Sequence, residues 1–171
     1  KILYLIYIFM TLTEIIMLLA GGMSLFDSLT ISFGTAGTGG FGIKNDSMAG
    51  YSTYLQAVVT VFMILFGVNF NFYFLLMKKG KQAIHSEEVR AYFLIILTAV
   101  LLIAVNIRGY FDHFWQAVHQ SAFQVGSIIT TTGYATTDFN LWPEVPRTIL
   151  VLLMFVGACA GSTGGGIKVS R

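Results

Sequence analysis

The sequence predicts an all-α membrane protein that consists of two tandem repeats. Of its 171 residues, 56% are hydrophobic and 11% are charged, which is too apolar for a soluble domain of this size. A short apolar segment that ends in a cluster of glycine and threonine occurs twice, each time between two long apolar stretches. Each repeat is therefore expected to contain a spanning helix, a short re-entrant helix, a polar loop and a second span.

Four stretches reach the roughly 20 residues that a bilayer-crossing helix needs. The first, KILYLIYIFMTLTEIIMLLAGGM, has a longer apolar run than a signal peptide and no A-x-A cleavage site after it, so we interpret it as a retained membrane helix. The other three candidate spans are residues 54–77, 91–107 and 147 to about 168.

The two segments between the spans are too short to cross a bilayer. SLFDSLTISFGTAGTGGFG lies in the first half of the chain and HFWQAVHQSAFQVGSIITTTGYA in the second. Each fits a helix that enters the membrane and a loop that returns to the same side. One constant offset superposes Thr38 on Thr131, Gly40 on Gly133 and Phe41 on Tyr134. We therefore predict a first pore repeat over 1–80, a cytoplasmic connector over 81–90 and a second pore repeat over 91–171 around a shared axis.

Charged residues predict the orientation of the chain. One end of the predicted spans carries Lys1, Lys78, Lys79, Lys81, Arg90, Lys168 and Arg171. The other end carries Lys44, Arg108 and Arg147 together with Asp27, Asp46, Asp112, Asp138 and Glu144. The positive-inside rule makes the first end cytoplasmic, so both loops open outwards, where an acidic surface would gather cations. A net charge of +2 without a basic run excludes nucleic acid as a partner class.

The two loops have the residue pattern of a potassium selectivity filter. They read TGGFG and TTGYA, which is Thr, any residue, Gly, aromatic, small in both copies. Glycine permits the positive φ with which successive carbonyl oxygens face an axis and replace the water around a cation. We predict potassium binding, as substrate, at Thr38, Gly39, Gly40, Phe41, Thr131, Thr132, Gly133 and Tyr134. Close packing between helices is the alternative use of such small residues, and two matched copies favour the filter.

The last predicted span contains GACAGSTGGGIKVS, with five glycines between Gly157 and Gly166. Each glycine is disfavoured in a helix by roughly 1 kcal/mol relative to alanine, so a discontinuous helix is expected. A phosphate-binding loop is a weaker interpretation, because Ile167 separates Gly166 from Lys168 and no strand precedes the motif.

The other polar residues indicate no catalytic set, metal site or cofactor. No aspartate lies within a predicted span, and Cys159 has no neighbouring ligands. We interpret Glu14 in the first span as a packing contact and Asn69 as a residue that faces the cavity. A solvated turn is expected at His85, Glu87 and Glu88. An intramembrane enzyme or an accessory subunit without its own conduction would not need two filter-like loops.

Four stretches of the sequence resemble the Trk/Ktr/HKT superfamily of potassium transporters and, within it, the bacterial Trk-type membrane subunit. They are AGTGGFG, GVNFNF, SIITTTGYATTDFNLWP and GACAGSTGGGIKVSR. The likeness covers essentially the whole chain. It implies a potassium-channel-like fold of four helix, pore-helix, helix units, of which the two present here resemble the second and third. The sequence therefore looks like a fragment of a longer chain.

The resemblance also implies how such a protein works. An intramembrane gating loop beneath the filter is implied at Gly161, Ser162, Thr163, Gly164, Gly165 and Gly166. The expected activity is potassium uptake, passive or by symport, across the bacterial inner membrane. The expected partners are the remaining repeats of the same chain, a second copy in a homodimer and a cytosolic nucleotide-binding regulatory subunit.

The predicted orientation can be tested by labelling a cysteine in the connector. A single cysteine placed at Gly80 of the full-length protein should react with a membrane-impermeant thiol reagent only after the cells are permeabilised, because the neighbouring lysines hold this turn in the cytoplasm. Labelling in intact cells would reverse the orientation and place both loops on the cytoplasmic side.

Overall fold

The computed structural model describes residues 1–80 and 86–170, and the fold of these residues is all-α, as predicted. The helices are α1 (Ile2–Ala20), α2 (Leu25–Ala36), α3 (Thr53–Phe66), α4 (Phe70–Lys79), α5 (Glu87–Ile107), α6 (Phe114–Ile129) and α7 (Glu144–Phe155). Short 3-10 turns follow α5 at Arg108–Tyr110 and precede α7 at Phe139–Leu141.

The helices form two packed groups that correspond to the two halves of the chain. In the first group α1 packs against α2 and α3, and in the second α5 packs against α6 and α7. The contact between α3 and α6 joins the groups. Buried Phe123 and Tyr134 from the second half pack in the hydrophobic core of the first half, so the halves share apolar contacts and are not two separate modules.

The membrane spans differ from the prediction in two places. The helices Ile2–Ala20 and Glu87–Tyr110, the second of which includes the 3-10 turn, are long and apolar enough to cross a membrane. The stretch predicted as one span over 54–77 is instead a helix pair, Thr53–Phe66 and Phe70–Lys78, bent by 84°. The stretch predicted over 147–168 is helical only as far as Phe155, so the helix ends before the first glycine of the segment.

The break after α3 is stable because the carbonyl groups that it frees find other donors. The last carbonyls of any helix lack intrahelical partners, and inside a membrane they must be paired within the protein. The Tyr92 and Tyr73 hydroxyls donate to the Ile64 and Leu65 carbonyls, at 3.1 and 2.7 Å.

The next two carbonyls of the break are paired with the C-terminal end of the chain. The Phe66 carbonyl accepts from the Thr163 hydroxyl at 3.3 Å, and the Gly67 carbonyl accepts from the Cys159 N–H at 3.0 Å. The Phe70 N–H, at the start of α4, donates to the Gly161 carbonyl at 3.2 Å. The irregular residues 157–166, called the Gly-rich segment below, therefore take the place that the next helical turn of α3 would occupy.

Gly67 tests how tightly this break is packed. A Cβ at Gly67 would collide with the Tyr92 hydroxyl oxygen and lie 2.9 Å from Thr130 Cγ2, and the Tyr92 side chain is fully buried. We expect Gly67→Ala to lower stability by about 1–3 kcal/mol through overpacking, measured as a lower apparent melting temperature of the full-length protein in detergent.

Gly126→Ala is the matched control for this substitution. Its Cβ would make only ordinary contacts, the closest at 3.4 Å to Ile64 Cγ1, and alanine favours the α6 helix by about 1 kcal/mol. Equal melting temperatures for Gly67→Ala and the parent protein would show that the break is loosely packed.

Candidate functional site

The candidate site consists of two loops that have the same backbone conformation, the first loop at residues 38–42 and the second at 131–135. Each follows a re-entrant helix, α2 or α6. In the first, the N–H groups of Thr38 and Gly39 donate to the Thr35 and Gly34 carbonyls at 3.2 and 2.8 Å. In the second, those of Thr131 and Thr132 donate to the Ile128 and Ser127 carbonyls at 3.0 and 2.9 Å. The hydrogen bonds occupy the positions that the sequence alignment superposes.

The backbone dihedrals match in the same way. Thr38 and Thr131 have φ values of 52° and 58°, and Gly40 and Gly133 have φ values of 64° and 89°. A positive φ is uncommon for threonine because its Cβ crowds the backbone. Its occurrence at the aligned threonine of both loops shows that the turn geometry is shared in detail.

The two loops lie against each other. A Cβ at Gly40 would collide with the Thr132 carbonyl oxygen and lie 3.1 Å from the Gly133 carbonyl carbon. The end of the second loop also binds the residues that follow the first loop. The Met48 N–H donates to the Ala135 carbonyl at 2.9 Å, and the Ala135 N–H donates to Ser47 Oγ at 3.2 Å. Gly40 is therefore required both by its φ and by the close approach of the second loop.

The aromatic residues of the loops have different surroundings. Tyr134 is 1% exposed, and its hydroxyl donates to the Ile31 carbonyl on α2 at 3.1 Å. The Ser127 hydroxyl donates to the Tyr134 carbonyl at 2.6 Å, so α6 also holds this end of the second loop. Phe41, the aligned residue of the first loop, is 85% exposed and has no such contact with the described residues.

The face of the loops that is outer in the predicted orientation carries acidic residues. A shallow cavity there is lined by residues from both halves, among them Asp46, Ala135 and Asp138. The Tyr51 hydroxyl donates to Asp27 at 3.1 Å. Burial and this hydrogen bond raise the pKa of Tyr51 to about 12, so the phenol keeps its proton at physiological pH and remains a donor to Asp27.

The Gly-rich segment contacts the opposite face of both loops, which is the inner face in the predicted orientation. The Thr38 hydroxyl donates to the Thr163 carbonyl at 3.3 Å, and the Gly165 N–H donates to Thr131 Oγ1 at 2.7 Å. The Lys168 ammonium donates to the Gly164 carbonyl. The residues with positive φ at the two ends of this turn are Gly161 and Gly166.

The neck of the Gly-rich segment is closed by backbone hydrogen bonds. The Gly157 N–H donates to the Ile167 carbonyl at 2.7 Å, and the Val169 N–H donates to the Ala158 carbonyl at 3.3 Å. Ser162 points back to the Cys159 carbonyl at 2.7 Å. The segment is thus a closed loop whose tip, residues 163–165, lies against the threonines of the first and second loops.

Asn69 and Glu88 lie on the flank of the Gly-rich segment. Asn69 Oδ1 accepts from the Asn71 N–H at 2.9 Å and caps α4, while Asn69 Nδ2 is 3.5 Å from Glu88 Oε2. Glu88 Oε1 accepts from the Ala160 N–H at 2.6 Å. The expectation that Glu88 belongs to a solvated turn is wrong, because its carboxylate binds backbone that is 72 residues away in sequence. His85 lies outside the described residues.

Glu14 is buried in α1, at 0% exposure. Neither carboxylate oxygen makes a geometrically complete hydrogen bond with a described residue, and the Thr35 side chain is a polar neighbour of the carboxyl group. Residues 1–80 and 86–170 contain no group of three His, Cys, Asp or Glu side chains that could hold a metal ion.

Comparisons with known proteins agree with this architecture. A family model described as TrkH, cation transport protein, matches residues 1–171. The Trk system potassium uptake protein TrkH of Halomonas elongata is 32% identical over 176 residues, which is 100% of this chain and 36% of that protein. The Trk system potassium uptake protein TrkG of Escherichia coli is 32% identical over 155 residues, 88% of this chain and 32% of that protein.

A solved structure gives the same result. The crystal structure of the potassium transporter TrkH from Vibrio parahaemolyticus superposes with a TM-score of 0.93 at 31% sequence identity, and the match covers 100% of this chain and 38% of that one. The chain therefore spans roughly a third of the length of these relatives.

Gly40 and Gly133 are the positions at which the loop geometry is most sensitive to a side chain. A residue with a Cβ is disfavoured at such φ values by about 1–2 kcal/mol, so Gly40→Ser or Gly133→Ser should twist its loop. We expect either substitution in the full-length protein to lower the ratio of potassium to sodium uptake by about tenfold, measured with both ions under matched conditions.

Gly22→Ser serves as the control, because Gly22 has a φ of 84° and no atom within 4 Å of the added Cβ, yet lies outside the loops. It should keep the parent ratio. Parent ratios for both loop variants would show that the backbone of the loops does not set ion preference.

Proposed function

Because this chain belongs to the TrkH family of cation transport proteins, we propose that its two loops form part of a potassium selectivity filter. The observation that carries the proposal is the contact between two loops that share their first turn hydrogen bonds and the positive φ of the aligned threonine and glycine. The carbonyl oxygens of Thr38, Gly39 and Gly40 and of Thr131, Thr132 and Gly133 accept no hydrogen bond from a described residue. Backbone carbonyls at membrane depth are left unpaired by protein only where they line a path for water or ions.

A potassium ion loses its water when it enters such a filter, and carbonyl oxygens replace that water. The left-handed turns of the first and second loops free the carbonyls from helical hydrogen bonding. Tyr134, held by Ile31, would fix the distance of the second loop from the axis. The acidic outer cavity at Asp46 and Asp138 would raise the local concentration of cations.

Two loops supply two sides of the filter, and the rest of the full-length protein would supply the others. Phe41 is consistent with this assignment. Its aligned partner Tyr134 packs against the re-entrant helix of the other half, whereas Phe41 is exposed at the edge of the described structure. In the full-length protein a further repeat would cover Phe41 as α2 covers Tyr134.

The Gly-rich segment would act as the gate. Its tip lies at the inner threonines of both loops, so an ion that leaves the filter would meet residues 163–165. Few interactions hold the tip there, and each hydrogen bond contributes about 0.5–1.5 kcal/mol. An open position would therefore lie only a few kcal/mol higher, within the range that a regulatory ligand can shift by its differential affinity.

The full-length protein is proposed to take up potassium across the bacterial inner membrane, passively or by symport. A homodimer and a cytosolic nucleotide-binding regulatory subunit belong to the same proposal, on the basis of the family. The second candidate is an accessory subunit without its own conduction. Rubidium uptake by the full-length protein, in cells that lack their own potassium uptake systems, separates the two, because an accessory subunit would give no uptake above the empty-vector level.

Deletion of Thr163, Gly164 and Gly165 tests the gate. The deletion removes the contacts with Thr38 and Thr131 and the Thr163 donor to the Phe66 carbonyl, and it leaves the loop carbonyls and the bond from Cys159 to the break in place. We therefore expect rubidium flux per protein in the membrane to rise several-fold with potassium preference retained. Unchanged or lower flux in a folded, inserted protein would show that the segment is a packing element.

Replacement of Gly164 and Gly165 by alanine is the matched comparison of constant length. The added Cβ at Gly164 would lie 2.8 Å from Ala158 Cβ and 3.1 Å from the Thr130 carbonyl oxygen, and the one at Gly165 would lie 3.0 Å from Thr131 Oγ1. These contacts would displace the tip without shortening it, and we expect a change in flux smaller than that of the deletion.

A further inference from the structure

We propose that Glu88 is a positioning residue that holds the Gly-rich segment beneath the two loops. The inference rests on the proposed function of that segment as a gate and identifies a side chain that stabilises its closed position. Glu88 contacts neither the loops nor the expected ion path.

The hydrogen bond between Glu88 and Ala160 is short and has a charged acceptor. Glu88 Oε1 accepts from the Ala160 N–H at 2.6 Å, and hydrogen bonds to a charged acceptor are about twice as strong as those between neutral groups. The carboxylate lies in the first turn of α5, where the helix dipole favours a negative charge. Glu88 Oε2 is 3.5 Å from the Asn69 amide nitrogen.

The hydrogen bond from Ala160 to Glu88 can hold the tip in place because of where Ala160 lies in the Gly-rich segment. Ala160 lies between the neck, closed by the Gly157 N–H and the Ile167 carbonyl, and the tip at residues 163–165. Its neighbours Cys159 and Gly161 are bonded to the break between α3 and α4. Glu88 thus binds the same short stretch from α5, so that a displacement of the tip that moves Ala160 must break this bond.

The arrangement also joins three parts of the chain that are far apart in sequence. Asn69 caps α4, and Ala160 belongs to the Gly-rich segment. Glu88 is the second residue of α5, which starts at Glu87. In the proposed orientation this end of α5 is cytoplasmic. A small movement of the first turn of α5 would therefore shift or release the segment from the side that a cytosolic partner reaches.

The experiment measures rubidium flux through the full-length protein in proteoliposomes, without any partner and per inserted protein. A hydrogen bond to a charged acceptor shifts an equilibrium by about tenfold or more, so Glu88→Ala should raise resting flux by about tenfold with an unchanged potassium-to-sodium ratio. Glu88→Gln keeps an acceptor oxygen and should give a smaller increase, about threefold. Glu87→Ala, an exposed neighbour in the same turn, should match the parent protein.

A second readout distinguishes positioning from a general effect on folding. In a full-length chain whose only cysteine is Cys159, which is buried at 0% exposure, a thiol reagent added on the cytoplasmic side should react faster in Glu88→Ala and in Glu88→Gln. Equal labelling rates in all variants would overturn the proposal, as would parent or reduced flux in Glu88→Gln at equal abundance.

Deletion of Thr163–Gly165 in parallel separates this inference from the proposed gate. If the deletion raises flux and Glu88→Ala does not, the gate stands and the role of Glu88 is overturned. If the deletion leaves flux unchanged, the gate itself fails. When both raise flux, adding Glu88→Ala to the deletion should produce no further increase, because the contact acts through the tip that has been removed.

Discussion

The fold depends on one constraint, the pairing of backbone groups at the break between α3 and α4. A helix that ends inside a membrane leaves carbonyls without donors, and here the Gly-rich segment donates to two of them through Cys159 and Thr163. The same segment receives the N–H of Phe70. The bend of α4 and the place of the segment are therefore two results of one set of hydrogen bonds.

This pairing fixes what lies beneath the two loops. Cys159 and Gly161 are bonded to the break. The residues that follow, 162–166, return from the break to the neck and on the way extend towards Thr38 and Thr131. Glycine is needed there because Gly164 and Gly165 pass within contact distance of Thr130 and Thr131. The glycines that follow the end of α7 at Phe155 thus let backbone approach the inner ends of both loops.

The sequence predicted the elements that depend on local pattern and repetition. Apolar length identified α1 and α5, and the alignment of Thr38 with Thr131 identified loops whose dihedrals agree. It did not predict the bend at Gly67, because residues 54–77 are mostly apolar and reach spanning length, and the cause of the bend is a segment nearly a hundred residues away. Glu88 was missed for the same reason: beside Glu87 it has the pattern of a solvated turn, and only tertiary packing brings Ala160 to its carboxylate. When a charged residue at the start of a helix binds a polar group that is distant in sequence, the neighbouring residues show no pattern that predicts the contact.

The central claim is that ions pass only when the tip of the Gly-rich segment leaves the inner threonines. It can be tested directly by a reversible crosslink, because the Cβ of a residue at position 165 would lie 3.6 Å from Thr131 Cβ, within the range of a disulfide. In the full-length protein carrying Thr131→Cys and Gly165→Cys, with each single variant as control, oxidation should abolish rubidium flux and reduction should restore it. Undiminished flux through protein whose disulfide is verified by mass spectrometry would contradict the account.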